Sequence, residues 1–274
     1  MPAINTNTAA NSAVRYLNIN SAQESSSLSK LSSGSRITSA SDDAAGLAIS
    51  TRISSDVTTL QQAATNASQA TAILQTADGG ASNISDILAR MKSLASESAS
   101  GTTTDSSRAY INSEFTQLTS EIDSIASGTR YSSQSLLDGT SVFSSGVSVL
   151  VGSSGSDTIT ITLTSLTASS IGVSSLDVSS LSDATSALTV LDNAIDTVSA
   201  ARASIGAQES RFNFSSDSIS TQTQNLQAAN SAIKDVDIAA EQAKLSSAEV
   251  KTQAAVSAES AANQMPQYLL KLLS

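Results

Sequence analysis

The 274-residue chain contains no cysteine, no histidine and no tryptophan. Without Cys and His it forms no disulfide, no thiolate nucleophile, no imidazole base and none of the usual zinc, copper or haem sites. Ser-His-Asp and Cys-His catalysis are excluded for the same reason. Carboxylates alone could hold a metal, but the Asp and Glu residues are scattered without a fixed loop spacing. The sequence therefore predicts no enzyme, no metal site and no cofactor.

Positive charge is also scarce, with 14 Lys and Arg against 24 Asp and Glu and a net charge of −10. Aromatic residues are 3% of the chain, so few rings are present to stack on bases or sugars. A basic footprint for nucleic acid or anionic lipid is missing. No run approaches the ~20 apolar residues of a membrane span, and the first residues lack the pattern of a cleaved signal peptide. Composition alone thus predicts a cytoplasmic protein without nucleic-acid or membrane partners.

Proline occurs only at positions 2 and 266, and charged residues are 14% of the chain, against about 25% in an ordinary domain. Ser and Thr, at 59 and 27 residues, make up nearly a third of the chain. Such small side chains favour closely packed helices over a thick globular core. The Ser and Thr residues suit close packing between copies, or O-linked glycosylation of exposed loops, and the sequence leaves both open.

Two heptad patterns predict long helices. Every seventh residue from Ala184 to Ala261 is apolar at eleven of twelve positions, which predicts one helix of ~80 residues, on the order of 120 Å long. Gln208, Ser215 and Gln222 interrupt the accompanying positions, so we expect that stretch to be bent or differently packed. A second pattern runs from Ile53 to Ala95 through Gly79-Gly80, where we expect the helix to continue. Helices of this length predict a rod.

Shorter patterns complete the expected fold. A helix is predicted from Ser107 to about Ser127, with Gly128 as its C-terminal cap. Strict alternation over 158–163, preceded by an apolar run at 147–151, predicts a β-hairpin. The Ser-rich stretch 167–182 predicts a loop. A weaker heptad near the N-terminus consists of Val14, Leu17, Leu28 and Leu31.

Asp42-Asp43 is the one pair of adjacent carboxylates in the sequence. Catalysis by paired carboxylates needs both groups on one substrate, whereas neighbours on a helix point apart. We therefore expect these acids to mark a helix start, with Ser39 or Ser41 as the cap.

Motifs at both ends of the chain resemble the bacterial flagellin family. They are Ile4–Asn7, Leu31–Ile37, Ala40–Ile49, Gln75–Ala77, Leu88–Leu94, Gly206–Gln208, Arg211-Phe212, Ile233–Asp237, Ala262–Gln267 and Leu269-Leu270, with the 147–163 hairpin. The resemblance implies a mainly α fold, a long antiparallel coiled-coil or helix-bundle rod with a small β-hairpin and no large outer domains. Residues 1–40 with 235–274 would form the inner terminal domain. Residues 41–234 would form the rod, including a hairpin and loop region at about 131–182.

The resemblance also implies a function, and it reverses the cytoplasmic expectation. Members are exported without a cleaved signal peptide and assemble outside the cell into the helical filament used for swimming. The implied partners are many copies of the chain, an export chaperone, and the cap and junction proteins.

The family pattern carries over to particular residues. The implied apolar subunit contacts are Leu28, Leu31, Ile37, Val236, Val250, Leu269, Leu270 and Leu273, and the implied polar contacts are Arg36, Asp42 and Asp43. The segment that an animal innate immune receptor recognises corresponds to 89–95, where Arg90 and Leu94 match. Ser93 and Ala89 depart from that pattern, so we expect weak receptor activation.

Two alternatives remain open from the sequence. One is the hook–filament junction protein, which shares the terminal architecture with flagellin. The other is a secreted, non-flagellar coiled-coil protein such as an adhesin or an injectisome component, which need not polymerise.

Overall fold

The structure is a computed structural model that describes the backbone of residues 6–273 and the side chains of residues 6–265. Six helices lie in this range: α1 Thr8–Ser33, α2 Ala44–Ser98, α3 Asp105–Gly128, α4 Val142–Ser145, α5 Leu181–Lys234 and α6 Ile238–Leu273. Strand β1 (Arg130–Tyr131) pairs with β2 (Gln134–Ser135), and β3 (Val147–Leu150) pairs with β4 (Thr158–Ile161), both antiparallel. The predicted mainly α fold with a small β element is confirmed.

The chain divides into two compact units. The terminal unit contains Met1–Ser55 and Asn225–Ser274, and the central unit contains Asp56–Gln224. These bounds describe packing within one chain. The expected division into an inner domain and a rod, at residues 40 and 235, stays a prediction.

The core of the central unit is built from the heptad positions of α2, α3 and α5. Those of α5 that the sequence predicts as apolar and that are buried are Ala184, Leu191, Val198, Ile205, Phe212 and Ile219. Leu74, Ile84, Leu88 and Met91 of α2 and Phe115 and Ile122 of α3 are also buried. Continuation of α2 through Gly79-Gly80 is confirmed.

The β3–β4 hairpin lies where alternation predicts it, with Val149 opposite Ile159. Ile159, Ile161 and Leu163 share one face and are buried, because alternate residues of a strand point to the same side. Gln208, at the interruption in the heptad, is buried beside the end of β4. The backbone N–H of Thr162 donates to Gln208 Oε1 at 2.9 Å, and Gln208 Nε2 donates to the Thr162 carbonyl at 3.0 Å. This polar residue therefore fills a core position as the partner of a strand backbone.

The segment between β4 and α5 is irregular, as predicted. Two side chains of α3 accept hydrogen bonds from its backbone. Asp123 Oδ1 accepts from the backbone N–H of Ala168 at 2.8 Å, and Asn112 Oδ1 accepts from that of Val178 at 3.1 Å. Ala168 and Val178 are both fully buried. The loop thus contributes to the core although it has no regular structure.

The prediction of one helix from Ala184 to Ala261 is wrong, because the chain leaves the helix after Lys234. The N–H of Val236 donates to the Gly34 carbonyl at 3.1 Å, a bond across to another segment. Asp237 then caps α6, since its Oδ1 accepts from the N–H of Ala240 at 3.0 Å. The heptad pattern continues across this break, so it does not reveal that the helix ends there.

The predicted cap at Gly128 is also wrong. Gly128 is the last residue of α3, and the cap residue is Thr129, with φ −73° and its N–H bonded to the Ile125 carbonyl. A left-handed glycine is therefore not needed at this end, whereas α1 does end on one, Gly34 with φ +67°.

Helix α2 begins at the adjacent carboxylates, as predicted, but neither Ser39 nor Ser41 is its cap. Asp43 Oδ1 accepts from the N–H of Gly46 at 2.8 Å. Asp42 Oδ2 accepts from the N–H of Thr38 and of Ser39, each at 3.0 Å, and from the Thr38 hydroxyl at 2.9 Å. These hydrogen bonds lower the pKa of Asp42 to about 2. A carboxylate accepts such bonds more strongly than a hydroxyl, which is why the acids take these roles.

Replacing Gly79 and Gly80 by alanine should have opposite effects. A Cβ at Gly80 would meet Thr129 Oγ1 and Leu137 Cδ1, whereas a Cβ at Gly79 meets no described atom within 4 Å. We expect Gly79→Ala to raise the free energy of unfolding by about 1 kcal/mol and Gly80→Ala to lower it by about 1–3 kcal/mol. Urea unfolding followed by circular dichroism measures both. Equal effects of the two substitutions would contradict the close approach at Gly80.

Asp42 should make stability depend on acid pH. Because its pKa in the folded chain lies below that in the unfolded chain, its contribution is present above about pH 4. It is lost as pH falls through about 2. We expect Asp42→Asn to be less stable than the native chain at about pH 5. The two should become equally stable once the pH has fallen below about 2. Unfolding measured across this range tests it, with Asp196→Asn on an exposed part of α5 as control. A native-minus-variant difference that does not change with pH would count against the assignment.

Candidate protein interface

Helices α1 and α6 form an antiparallel pair in the terminal unit, and polar side chains lie between them. Ser27, fully buried, donates to Glu241 Oε1 at 2.8 Å, and Lys244 donates to Glu241 Oε2 at 2.9 Å. Bonds from Lys244 and Ser27 lower the pKa of Glu241, which is only 4% exposed. Farther along, Thr252 donates to Glu24 at 3.4 Å and Asn7 Nδ2 to the Ala262 carbonyl at 2.7 Å.

A junction in the same unit joins the turn after α1 to the break between α5 and α6. The Arg36 side chain donates from Nε and Nη2 to the Ile233 carbonyl, at 3.2 and 2.8 Å. The backbone N–H of Arg36 donates to the Lys234 carbonyl at 2.6 Å. Ser35 Oγ donates to the Lys234 carbonyl at 3.1 Å. These donors satisfy carbonyls that the end of a helix leaves without intrahelical partners.

Large apolar side chains of the α1·α6 pair point to solvent in the single chain. Those more than a third exposed are Val14, Tyr16, Ile19 and Leu28 on α1, and Ile238, Val250, Val256 and Met265 on α6. Several large apolar side chains exposed on one helix pair are typical of a surface that another protein covers. Ser27 and Glu241 are therefore buried between the helices together with Leu245 and alanines of α6, while large apolar side chains stay exposed.

The residues that the resemblance assigns to subunit contacts lie in different environments. Leu28 and Val250 are 59% and 70% exposed, Leu31 and Val236 are half-buried, and Ile37 is buried. Arg36, Asp42 and Asp43 lie together near the start of α2, with Arg36 Nη2 3.6 Å from Asp43 Oδ2. The side chains of Leu269, Leu270 and Leu273 lie outside the described residues. The assignment of these residues to subunit contacts stays a prediction.

The heptad positions expected in α6 are not the ones that face α1. Ala240, Ala243, Ser247, Val250, Ala254 and Ala261 are exposed, and the buried positions are Glu241, Leu245, Ala248, Ala255 and Ala262. The break at 235–237 shifts the buried face by one residue, because the residues outside the helix do not follow its rotation. Ser27 and Glu241 escaped the sequence analysis since both are polar, although they lie at inward positions of their helices.

The two residues that match the immune-receptor pattern differ in accessibility. Arg90 is exposed and pairs with Glu114, with Nη2 2.6 Å from Oε1. Leu94 is 2% exposed and belongs to the core of the central unit. In the single chain only Arg90 is free to contact a large partner.

Membrane-spanning helices and clusters of metal ligands are both absent from the described residues. Residues 6–273 contain no helix long and apolar enough to cross a membrane. Within the same range, no three Asp or Glu side chains come together as metal ligands would. The exposed apolar surface of α1 and α6 is therefore the feature on which we base a function.

Comparison with known proteins shows the same family at both ends of the chain. Residues 4–142 match the bacterial flagellin N-terminal helical region, and residues 188–273 match the bacterial flagellin C-terminal helical region. A flagellin of Halalkalibacterium halodurans is 36% identical, covering 98% of this chain and 99% of the relative. A flagellin of Listeria monocytogenes is 34% identical over 99% of both chains. The crystal structure of Bacillus cereus flagellin superposes with a TM-score of 0.52 at 29% identity, covering 61% of this chain and 94% of that one. The chain belongs to the bacterial flagellin family.

Proposed function

We propose that this protein is a structural subunit that assembles, in many copies, into the extracellular flagellar filament used for bacterial swimming. The observation that carries the proposal is the exposure of large apolar side chains on the α1·α6 pair. Its large apolar side chains, among them Leu28 and Val250, point away from the partner helix. Only other copies packed around the pair would remove them from water.

The driving force for assembly is the burial of this surface. Eight large apolar side chains of α1 and α6 are more than a third exposed in the single chain. Burying one such side chain fully contributes about 1.5–3 kcal/mol, so the set represents on the order of 10 kcal/mol per chain. The loss of translational and rotational freedom on association offsets part of this gain. The many neighbours of a subunit in a filament supply the area that a single partner lacks.

The proposal extends to the layers of the filament. Residues 1–40 and 235–274 form the inner layer, and residues 41–234 form the outer helical layer, without large outer domains. Leu269, Leu270 and Leu273 join the inner apolar contacts, and Arg36, Asp42 and Asp43 take part in polar contacts. The exposure of side chains supports this division, because large apolar side chains of α1 and α6 are exposed whereas the central unit has its own apolar core.

Export and accessory partners complete the proposal. The chain leaves the cell without a cleaved signal peptide, assisted by an export chaperone, and adds to the filament beneath a cap and beyond junction proteins. Contact with an innate immune receptor would be weak, because Leu94 is buried and Arg90 is already paired with Glu114. O-linked glycans on exposed Ser and Thr stay a prediction, which the intact mass of filament-derived protein tests.

A charge placed on the outward face of α6 should stop polymerisation. Val250 is 70% exposed, so Val250→Asp leaves the fold of the single chain intact but places a carboxylate in the subunit contact. Desolvating that charge should raise the critical concentration for extension of filament seeds about tenfold or more. The measurement is electron microscopy of sheared seeds incubated with increasing concentrations of the purified chain.

Val250→Ile is the matched control, because it keeps an apolar side chain of the same branching at the same position. We expect it to extend seeds at the native concentration, and both variants to have native helix content by circular dichroism. Extension by Val250→Asp at the native critical concentration would contradict the proposed contact. Failure of the native chain to extend seeds would favour the junction-protein alternative.

A further inference from the structure

The alanines of α6 that face α1 do little to specify the register of the pair, that is, which residues of the two helices lie opposite each other. Apart from Glu241 and Leu245, the buried positions of α6 among the described residues are alanines that repeat every seven residues, at Ala248, Ala255 and Ala262. A shift of one heptad would place one alanine where another had been. Apolar packing of these residues therefore accepts several registers, as expected for a repetitive seam.

We propose that the cluster of buried Ser27 and Glu241 with exposed Lys244 selects one register for α1 against α6, and so aligns the outward apolar side chains of the two helices. The alignment of the outward side chains matters only if neighbouring copies bury them, so that part rests on the proposed function. The selection of register concerns the single chain and stands by itself.

Glu241 is suited to this role because both of its carboxylate oxygens are engaged. Ser27 occupies Oε1 and Lys244 occupies Oε2, and the side chain is 4% exposed. Lys244 lies on the same helix and moves with Glu241, so it does not report the register. Ser27 lies on α1, and its hydroxyl is the group that a shifted helix would lose.

A shift in either direction breaks the contact. If α6 moves so that Ser27 faces Ala248, Glu241 passes beyond Ser33, the last residue of α1. If it moves the other way, Ser27 passes the start of α6 at Ile238. A buried carboxylate that loses a hydrogen bond is unfavourable, whereas an alanine moved into the place of another alanine costs little. The polar cluster therefore discriminates between registers, whereas the repeated alanines do not.

The junction at Arg36 is the competing determinant of register. Arg36 and the Gly34 carbonyl bind residues 233–236, and a seven-residue shift would break these bonds as well. The two explanations make different predictions when the cluster alone is removed. If the junction sets the register, the pair stays in place without Ser27 and Glu241.

Cross-linking measures the register directly, because the chain has no cysteine of its own. Gln23 and Ser247 line the same groove between the helices, so Gln23→Cys with Ser247→Cys reports the observed register. Gln23→Cys with Ala254→Cys reports a shift of one heptad. A short bismaleimide is applied to the purified full-length chain, and linked peptides are quantified by mass spectrometry. The same pairs are read in filaments in which the variant is diluted into excess native chain, so that links form within one chain.

In the native background we expect links between positions 23 and 247 only. In the background of Ser27→Ala with Glu241→Leu, links between 23 and 254 should rise several-fold over the native level. In the background of Arg36→Met, which leaves the cluster intact, the 23–247 pair should still predominate. A single native register after loss of the cluster, or a shifted register in Arg36→Met alone, would overturn the proposal.

The double substitution could also separate the two helices, in which case neither cysteine pair would link. Ser27→Ala alone then decides, since it keeps the Glu241–Lys244 bond and removes only the contact between helices. Shifted links above the native level support the proposal, and unchanged links overturn it. Formation of filaments is scored separately, so that a failure of assembly is not mistaken for a failure of register.

Discussion

The exposure of large apolar side chains on the terminal helices is the constraint on which the other properties of this protein depend. In most helix pairs the apolar face of each helix meets the other, and the polar faces meet water. Here Ser27 and Glu241 are buried between α1 and α6, while Leu28 and Val250 are exposed. Among its described residues, α6 buries one large apolar side chain, Leu245, and three alanines, so the pair gains little from apolar burial by itself. It becomes favourable when further copies cover its outer surface, which is the arrangement a filament provides.

The central unit has the opposite organisation. Heptad positions of α2, α3 and α5 meet in a continuous apolar core, which the hairpin and the irregular segment after it complete. Side chains of the helices bond to backbone groups at this core, as buried Gln208 does for Thr162 and exposed Asp123 for Ala168. One chain therefore combines a part that holds together by itself with a part whose apolar surface is left for neighbours. Scarcity of charge and of bulky residues, evident from composition, suits both parts, because it lets helices approach closely.

Particular residues end helices α1 and α5 and begin helix α2. Gly34 ends α1 with a left-handed residue, and the chain after Lys234 leaves its helix to pair with that turn. Arg36 satisfies the Ile233 carbonyl at this point. The carboxylates of Asp42 and Asp43 then organise the start of α2. Arg36, Asp42 and Asp43, an arginine beside two aspartates, thus help to end and start helices.

Periodicity and composition by themselves determined the class of fold, the two long helical regions, the position of the hairpin and the absence of cysteine and histidine. These features depend on local spacing, which a sequence displays directly. The break at 235–237, the one-residue change of buried face in α6 and the roles of Ser27, Glu241 and Gln208 were decided only in the tertiary structure. A heptad pattern records which positions are apolar, but not whether they face a partner helix of the same chain or another copy. That distinction depends on contacts between residues more than 200 positions apart, such as Ser27 and Glu241, whose partners no local pattern specifies.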